Sequence, residues 1–300
     1  MAITGLTQRW VAQRLPARPA RAHKGTFGRL LIVGGSFEYA GAAILTGLGA
    51  IRAGVGLACL ATPEAVGLRL LGIVPELTSM LLVEEAPGLT APAGWRRLTA
   101  EAPSFSATVV GPGLGRQPST ARRVRQFIGA LRQPAVVDAD ALSALADTDR
   151  WWRGLGGSLV LTPHPGEFAR LAHLPESERL PDDDAARGEA AREAARRWGQ
   201  VVVLKGAHSV IASPEGELVR SDIESPALAT AGSGDVLAGA IGAFLAAGLS
   251  PFDAAGCGVA VHGAAGLLAE DRIGRAGVVA RDLANLLPEA IEQLRGGRGA

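Results

Sequence analysis

Short apolar runs alternate along this chain with longer segments in which apolar residues recur at helical spacing. The runs are continuously apolar, a pattern typical of strands covered on both faces of a sheet. Strands that alternate with helices indicate parallel pairing through right-handed crossovers. We therefore expect an α/β fold with a central, mainly parallel sheet flanked by helices on both faces. Strands are predicted at 30–33, 57–61, 108–110, 135–137, 159–161 and 201–204.

The last third of the chain is predicted to be mostly helical. A hairpin is expected just before it, because Pro214 and Gly216 separate the apolar runs 209–212 and 217–220. Helices are predicted at 41–53, 119–131, 182–198, 235–247, 251–269 and 280–294.

No internal repeat or linker interrupts this pattern, so we expect one domain over 23–300, preceded by an N-terminal extension over 1–22. The Ala-Pro segments 86–93 and 102–103 are expected to be loops. Hydrophobic residues make up 48% of the chain, which is enough for a sizeable core.

Charge and composition narrow the range of partners. The 300 residues carry a formal net charge of +1, so no strong positive field favours nucleic acid. We find no secretory signal and no run of 18 or more uncharged apolar residues, so we expect no membrane partner and a cytoplasmic location. Cys59 and Cys257 lie among small apolar residues and are expected to be buried thiols.

Lysine is rare in this chain. Lys24 and Lys205 are the 2 lysines, and the other 28 of the 30 basic residues are arginine. Each lysine is followed by a glycine. Because lysine is a compact point charge and arginine a planar fork, both positions suggest sites that need a small ammonium or a slim side chain.

The segment 231–235 places four small residues and an acid where a loop enters a helix. Gly232 and Gly234 carry no Cβ, so an anion can approach the backbone closely. The unpaired amides and the dipole of the following helix favour negative charge at this point. Asp235 therefore suits a base that removes a proton from a hydroxyl as its oxygen attacks phosphorus. A simple N-cap role for Asp235 remains open.

Two glycine-rich segments also follow predicted strands, where open parallel sheets bind ligands. Small residues in 34–43 would let a flat ligand or a phosphate lie against the backbone, or serve only close helix packing. Segment 111–115 holds three glycines around Pro112 and forms a turn that exposes amides. Neither segment matches the dinucleotide fingerprint G-x-G-x-x-G, which argues against a Rossmann dehydrogenase.

Polar side chains follow the later strands. His164 stands between two prolines, which favours a ligand contact; a metal is less favoured, because no second His or Cys lies at ligand spacing. Lys205, with the Ser209 hydroxyl and nearby amides, could hold nucleotide phosphates. Asp138 and Asp140 could hold Mg²⁺ through water or cap the next helix. His262 lies in an apolar helical segment and is expected to be a hydrogen-bonded core residue.

Taken in order, these segments resemble the ADP/ATP-dependent NAD(P)H-hydrate dehydratases, a branch of the ribokinase-like superfamily that also forms the C-terminal domain of bifunctional NAD(P)H-hydrate repair enzymes. The resemblance extends from His23 to about Leu294. Each motif is weak alone, but seven in the right order are specific. The motifs are 23–28, 34–43, 111–115, 138–142, 162–167, 205–206 and 231–235.

The resemblance implies a lyase of metabolite repair. It would dehydrate the S-epimer of hydrated NADH or NADPH, releasing phosphate together with AMP from ADP or ADP from ATP. Asp235 would be the catalytic base, with Mg²⁺ as cofactor, ADP or ATP as co-substrate, and no metal ligand assigned. The implied hydrate contacts are Ala42, Gly115, His164 and Asp235. The implied nucleotide contacts are Lys205, Gly206, Ala207, His208, Ser209 and Gly234, and the anion hole is Gly232, Ser233 and Gly234.

The resemblance also implies a homo-oligomer, for which a tetramer is one form. About twenty residues precede His23, too few for an epimerase domain, so we expect a separate epimerase in the same cell. Family members often carry threonine where this chain has Ser209, which keeps the hydroxyl. The main alternative is a ribokinase-like kinase acting on a small vitamin-precursor alcohol, and another is a non-catalytic nucleotide sensor.

Overall fold

The computed structural model describes residues 3–70, 72–175, 180 and 183–296, and these form a ten-stranded sheet and a separate two-stranded ribbon. The strands are β1 (Thr4–Gly5), β2 (Arg29–Val33), β3 (Leu57–Pro63), β4 (Thr78–Leu82), β5 (Glu84–Ala86), β6 (Leu89–Thr90), β7 (Ala107–Val110), β8 (Ala135–Val137), β9 (Leu159–Leu161), β10 (Val201–Leu204), β11 (Val210–Ala212) and β12 (Leu218–Arg220). The sheet order is β1-β12-β11-β10-β9-β8-β7-β2-β3-β4, and β5 pairs with β6.

Within the sheet, β11 runs antiparallel to both β10 and β12, and the other pairs are parallel. The mainly parallel α/β architecture expected from the sequence is thus confirmed. The expected hairpin is the β11–β12 pair.

The described helices lie on both faces of the sheet. They are α1 (Gln8–Ala12), α2 (Ala40–Ala53), α3 (Glu64–Leu70), α4 (Pro92–Glu101), α5 (Pro118–Ala130), α6 (Asp140–Ala146), α7 (Pro165–Ala172), α8 (Asp184–Trp198), α9 (Ser233–Ala246), α10 (Pro251–Arg272) and α11 (Ala280–Leu294). Short 3₁₀ helices occur at Lys24–Phe27, Ala102–Ser104 and Pro226–Leu228.

Alternation along β2 shows why its residues are all apolar. Leu30 and Ile32 enter one hydrophobic core, and Leu31 and Val33 enter the other. The first core packs against α2, α3 and α9–α11, and the second against α4–α8. Because both faces of the strand are covered, period-two alternation of polar residues would leave polar groups buried.

Helices α2 and α9 approach each other closely enough to fix where α9 begins. A Cβ on Gly239 of α9 would overlap the Thr46 carbonyl oxygen of α2, and one on Gly49 would overlap the Val236 carbonyl oxygen. Both positions therefore require glycine for the two backbones to meet. The small residues of α9 thus set the position of its first turn, which carries Asp235.

Two expectations about loops are wrong. The segment 86–93 contains the end of β5, all of β6 and the start of α4, where Pro92 occupies the first helical turn. The segment 102–103 lies in a 3₁₀ helix. Proline is tolerated in a first helical turn because its missing N–H would be unpaired there anyway.

The N-terminal segment 1–22 contributes to the fold in its described part. Strand β1 pairs with β12, and Trp10 of α1 packs edge-on against Phe252 with 6.3 Å between ring centroids. The predicted start of the 182–198 helix falls on residue 182, which lies outside the described residues; α8 begins at Asp184. Cys59 and Cys257 are free, buried thiols, as expected.

Helix α10 is long and apolar enough to cross a membrane by length and composition alone. However, 78% of its most apolar window is buried within the protein. This burial is what a core helix of a globular domain shows, and the strongly apolar sequence of α10 follows from packing against α9 and α11.

Candidate active site

The loops that follow β2, β7 and β8 interlock at the carboxyl edge of the sheet. The Gly35 amide donates to the Pro112 carbonyl oxygen at 2.9 Å, which joins the first two loops. Gly111 has φ 131°, and a Cβ there would overlap the Asp138 carbonyl oxygen. Only glycine allows this approach, so the 111–115 motif brings the Asp138 loop into place.

Lys205 lies at the centre of a buried charged cluster. Its Nζ is 2.9 Å from Asp138 Oδ1 and 3.9 Å from Glu167 Oε2. The hydroxyl of Thr162 donates to the same Asp138 oxygen at 2.8 Å. Burial lowers the pKa of Lys205, but attraction to Asp138 and Glu167 outweighs it and the net pKa is raised. The ammonium is therefore charged, and it neutralises carboxylates that would otherwise be costly to bury.

His164 and Glu167 form a reciprocal cap on α7. The His164 amide donates to Glu167 Oε2 at 2.9 Å, and the Gly166 amide donates to His164 Nδ1 at 3.0 Å. Burial, followed by the charge of Lys205, lowers the pKa of His164. Since Nδ1 accepts a backbone N–H, the neutral ring carries its proton on Nε2 and presents that N–H as a donor. Burial is also the main reason that the pKa of Glu167 is raised.

Asp235 stands in the first turn of α9 and shares the electrostatic field of this cluster. Burial raises its pKa, the negative charge of Asp138 raises it further, and Lys205 lowers it; the result is about 7. A carboxyl with a pKa near neutrality can accept a proton from a hydroxyl and release it again. The alternative role as a helix cap is not seen, because α9 has Gly232 at its N-cap position and no side chain caps it.

The amides at the start of α9 differ in their partners. The Ser233 amide donates to the Thr230 carbonyl oxygen at 3.2 Å, whereas the Gly232 and Gly234 amides make no such bond among the described residues. Gly232 has φ 87°, a left-handed conformation that favours glycine, and the helix begins immediately after it. A Cβ on Gly234 would meet Lys205 Nζ at 3.6 Å, so the Gly234 backbone lies beside the ammonium. A phosphate between them would receive main-chain donors and a cation together.

His262 contacts the first turn of α9 through a hydrogen bond. Its Nε2 is 3.1 Å from Ser233 Oγ, and the side chain is buried. Burial lowers its pKa to about 4, so the ring is neutral. The expectation of a hydrogen-bonded core histidine is confirmed, and the ring also contributes to the floor of a cavity described next.

A cavity of about 760 Å³ opens beside Lys205 and Gly234. One wall is the Lys-Gly segment with His164, and a second wall is formed by residues 223–226 and 228–230. Sequence reasoning did not identify this second wall, which carries no chemical motif. The second wall has an apolar part with Ile223, Pro226 and Leu228. This part suits contact with the flat face of a nucleobase.

The predicted nucleotide contacts are placed around this cavity with one difference. Lys205, Gly206, Ala207, Ser209 and Gly234 line it. His208 does not line the cavity; its ring nitrogens lie 2.7 Å from Asp184 Oδ2 and 3.0 Å from Glu224 Oε1.

These contacts give His208 a structural part. Its imidazole joins α8 to the segment that walls the cavity. A contact between His208 and a nucleotide stays a prediction, and the ring has two carboxylate partners.

Of the predicted hydrate contacts, Ala42 and Gly115 lie at the loop that follows β7, whereas His164 lines the cavity beside Lys205. Gly115 donates its amide to Asp140 Oδ2 at 2.9 Å, and Ala42 lies near the same loop, since a Cβ on Gly113 would be 3.1 Å from the Ala42 Cβ. Asp140 does not cap α6, which has no side-chain cap.

Ala139 has φ 51° and ψ −120°, a conformation that L residues rarely adopt. It stands between Asp138 and Asp140 and turns them to different partners. Backbone strain of this kind is typical of functional loops and costs about 1–3 kcal/mol.

The motif 23–28 lies away from the carboxyl edge of the sheet. Residues 24–27 form a 3₁₀ helix just before β2, at the opposite, amino edge of the parallel strands. A Cβ on Gly56 would overlap the Lys24 carbonyl oxygen, so the motif packs tightly through its backbone. Lys24 itself is exposed. The two lysines therefore have different surroundings, and Lys205 alone of the pair joins the charged cluster.

Among the residues that the structure describes, no group of three or more His, Cys, Asp or Glu side chains is arranged to hold a metal ion. The carboxylates near the site are nevertheless compatible with Mg²⁺, which proteins often bind through one or two carboxylates together with substrate phosphates. Asp140 and Asp235 are the acids available for this, because Asp138 is engaged by Lys205 and Thr162.

The sequence and the fold of this chain match known proteins. The family described as NAD(P)H-hydrate dehydratase matches residues 30–289. The chain is 38% identical to the ADP-dependent (S)-NAD(P)H-hydrate dehydratase of Xanthomonas campestris, covering 94% of each protein. It is 41% identical to a bifunctional NAD(P)H-hydrate repair enzyme of Moorella thermoacetica over 96% of this chain. The chain spans about half the length of that bifunctional relative, 54%.

A solved structure has the same fold over nearly its whole length. The ADP/ATP-dependent NAD(P)H-hydrate dehydratase of Bacillus subtilis, co-crystallised with ATP and Mg²⁺, superimposes with a TM-score of 0.83 at 32% identity, covering 98% of this chain and 99% of that one. The ribokinase-like architecture expected from the motifs is therefore confirmed.

Proposed function

This chain belongs to the NAD(P)H-hydrate dehydratase family, and from that premise we propose that it dehydrates the S-epimer of hydrated NADH or NADPH at the expense of ADP or ATP. The observation that carries the proposal is the position of Asp235. Its carboxyl has a pKa of about 7 and stands in the first turn of α9, next to the Gly232 and Gly234 amides and within the field of Lys205. A base and an anion site thus meet at one point.

The chemistry begins with a proton transfer. Asp235 accepts the proton of the hydroxyl on C6 of the hydrated nicotinamide ring, and the oxygen attacks the terminal phosphorus of the nucleotide. The bond between that phosphorus and its bridging oxygen breaks, which releases AMP from ADP or ADP from ATP. The amides of Gly232 and Gly234 and the ammonium of Lys205 stabilise the charge on the transferring group.

The second half is an elimination. Phosphate leaves C6 with the electrons of the carbon–oxygen bond, a proton passes from C5 to water, and the electrons of that carbon–hydrogen bond restore the ring double bond. Hydroxide is a poor leaving group and phosphate a good one, which is why the reaction consumes a nucleotide. The His164 N–H on Nε2 points to a donor role toward the substrate.

Mg²⁺ belongs to the same proposal. It would be held by the nucleotide phosphates with Asp140, and when bound it would neutralise phosphate charge. The Bacillus relative crystallised with ATP and Mg²⁺ supports this assignment.

Several wider features are also proposed from the family. We propose that residues 23–300 form the dehydratase domain with 1–22 as its extension, and that the chain acts in the cytoplasm as a homo-oligomer, with a tetramer as the form to test. A separate epimerase would convert the other epimer of the hydrate. The Xanthomonas relative, whose name carries the dehydratase activity alone, supports this division of labour.

The proposed reaction is tested by mixing the protein with hydrated NADPH, Mg²⁺ and either ADP or ATP. Absorbance of reduced nicotinamide should appear together with one phosphate and one AMP or ADP per turnover. A small-molecule kinase, the less favoured alternative, would instead accumulate a stable phosphate ester. If no NADPH forms with either ADP or ATP, the dehydratase assignment is refuted.

A further inference from the structure

A second cavity, of about 580 Å³, opens along α6 and α7 and shares no lining residue with the nucleotide cavity. One end of the cavity is formed by Gly115, Arg116 and Asp140, and the cavity continues past Ser143 to Arg170 and His173. We call it the helix groove. Its volume lies within the range of ligand sites. The end that contains Gly115 lies at the loop 111–115, which the family resemblance assigns to the hydrate.

The charges of the helix groove leave its basic groups open to an anion. Asp140 accepts the Gly115 amide, and Asp147 lies 3.9 Å from Arg125. Arg116 is 72% exposed and has only a 3.4 Å contact with Asp140. Arg170 is exposed, and within the described residues no carboxylate lies within ion-pair distance of it. Arginine is the residue best suited to bind phosphate through paired donors.

The wall of the groove also holds an unsatisfied hydroxyl. Ser143 Oγ is buried and has no hydrogen-bond partner within the part of the chain that the structure describes. A buried polar group without a partner is costly, and rotation of the Ser143 side chain would turn this hydroxyl toward a polar ligand in the groove. Ser36 Oγ, which is likewise without a partner there, would lie 3.8 Å from a Cβ on Gly115.

The reaction explains what such a groove would bind. This inference rests on the proposed function: the hydrated dinucleotide must bring its C6 hydroxyl to Asp235 while ADP or ATP fills the other cavity. Its second half, an adenosine joined through a pyrophosphate, then needs a separate place. We propose that the helix groove binds this adenosine half and that Arg116 and Arg170 pair with its phosphates. The extra 2′-phosphate of the NADPH form would add a further anion for these arginines.

The first test is kinetic. Arg116→Ala and Arg170→Ala should each raise the KM for hydrated NADPH about tenfold, leaving the KM for ADP and kcat within twofold. The increase should be smaller for hydrated NADH, which lacks the 2′-phosphate. Arg153→Ala is the matched control, because Arg153 is an exposed arginine that does not line the groove. Unchanged KM values in both groove variants would overturn the assignment while leaving the dehydratase activity standing.

The second test does not depend on turnover. Calorimetric titration of 2′-phospho-ADP-ribose, with the nucleotide cavity saturated by ADP and Mg²⁺, should show binding that both groove variants weaken about tenfold and Arg153→Ala does not. If the probe binds only when ADP is absent, it occupies the nucleotide cavity and the groove assignment fails. If the probe binds as expected but hydrated NADPH is not turned over, the groove stands and the proposed reaction fails.

Discussion

The ammonium of Lys205 lies 2.9 Å from a carboxylate oxygen of Asp138, a residue 67 positions earlier in the chain. The two residues follow β10 and β8, which are separated in the sheet only by β9. This pair organises the site: Asp138 keeps Lys205 charged beside Gly234, and both residues act on the pKa of Asp235 in opposite directions.

Replacing Lys205 should destabilise the fold. Lys205→Met leaves Asp138 and Glu167 buried without their cation, which we expect to cost about 3 kcal/mol at pH 8. The cost should be smaller at pH 5, because burial raises the pKa of Glu167 and protonation of this carboxyl removes its unpaired charge. Urea unfolding at the two pH values measures it. Lys24→Met is the control, since Lys24 is exposed and should change stability by less than about 0.5 kcal/mol. Equal effects at both positions would contradict the buried pair.

Removing the proposed base should abolish the chemistry and spare binding. Asp235→Asn keeps the shape of the side chain but cannot accept the proton, so kcat should fall about a thousandfold. The Kd for ADP, measured by calorimetry, should change by less than threefold. Asp271→Asn, at an exposed position near the end of α10, should behave as the unmodified protein. Near-normal turnover by Asp235→Asn would show that another group takes the proton.

The rate should depend on pH through Asp235. The base must be deprotonated to act, and burial raises its pKa to about 7. The value of kcat/KM should therefore be near its plateau at pH 8, be halved near pH 7 and fall about tenfold for each further unit of decrease. A pH series with hydrated NADPH measures this. Because kcat/KM reports the free enzyme, a profile that is flat between pH 6 and 8 would be inconsistent with Asp235 as the titrating base.

Gly234 and Gly232 should respond differently to alanine. Gly234 has room for a Cβ, whose nearest neighbour would be Lys205 Nζ at 3.6 Å. Gly234→Ala should therefore fold normally but raise the KM for ADP about tenfold, since the methyl group blocks phosphate from the amides.

Gly232→Ala serves as the contrast. Gly232 has φ 87°, and a Cβ at this position would overlap the Leu45 side chain. The alanine variant should therefore lose thermal stability. Melting temperatures and ADP kinetics of the two variants separate these effects. Similar stability losses in both would argue that the turn is only structural.

The strain at Ala139 should be relieved by glycine. Ala139→Gly removes the Cβ that disfavours φ 51°, and we expect a gain in unfolding free energy of about 1 kcal/mol. Ala141→Gly, two residues later inside α6 and fully buried, should lose at least about 1 kcal/mol. Denaturant unfolding of both variants gives the comparison. A loss of stability in Ala139→Gly would mean that the neighbouring contacts, not the backbone, determine this loop.

Local pattern determined much of this protein. Continuous apolar runs identified β2, β7, β8, β9 and β10 to within one residue at each end, because strands covered on both faces leave no room for polar positions. The same pattern placed the motifs at the carboxyl edge, since parallel strands all end on one side. It did not identify β4, whose edge position leaves Thr78 and Ser79 exposed and its sequence mixed.

Tertiary structure decided which side chains meet. The sequence supplied Lys205, Asp138 and Asp235 as separate candidates, but only the order of strands in the sheet brings the first two into contact and raises the pKa of the third. The tertiary structure also places His208 beside Asp184 and Glu224. It forms a cavity wall from residues 223–226 and 228–230, which carry no motif. Burial and strand direction are encoded locally by hydrophobic spacing. Contacts between distant loops depend on how far apart their strands lie in the sheet, and no local pattern records that distance.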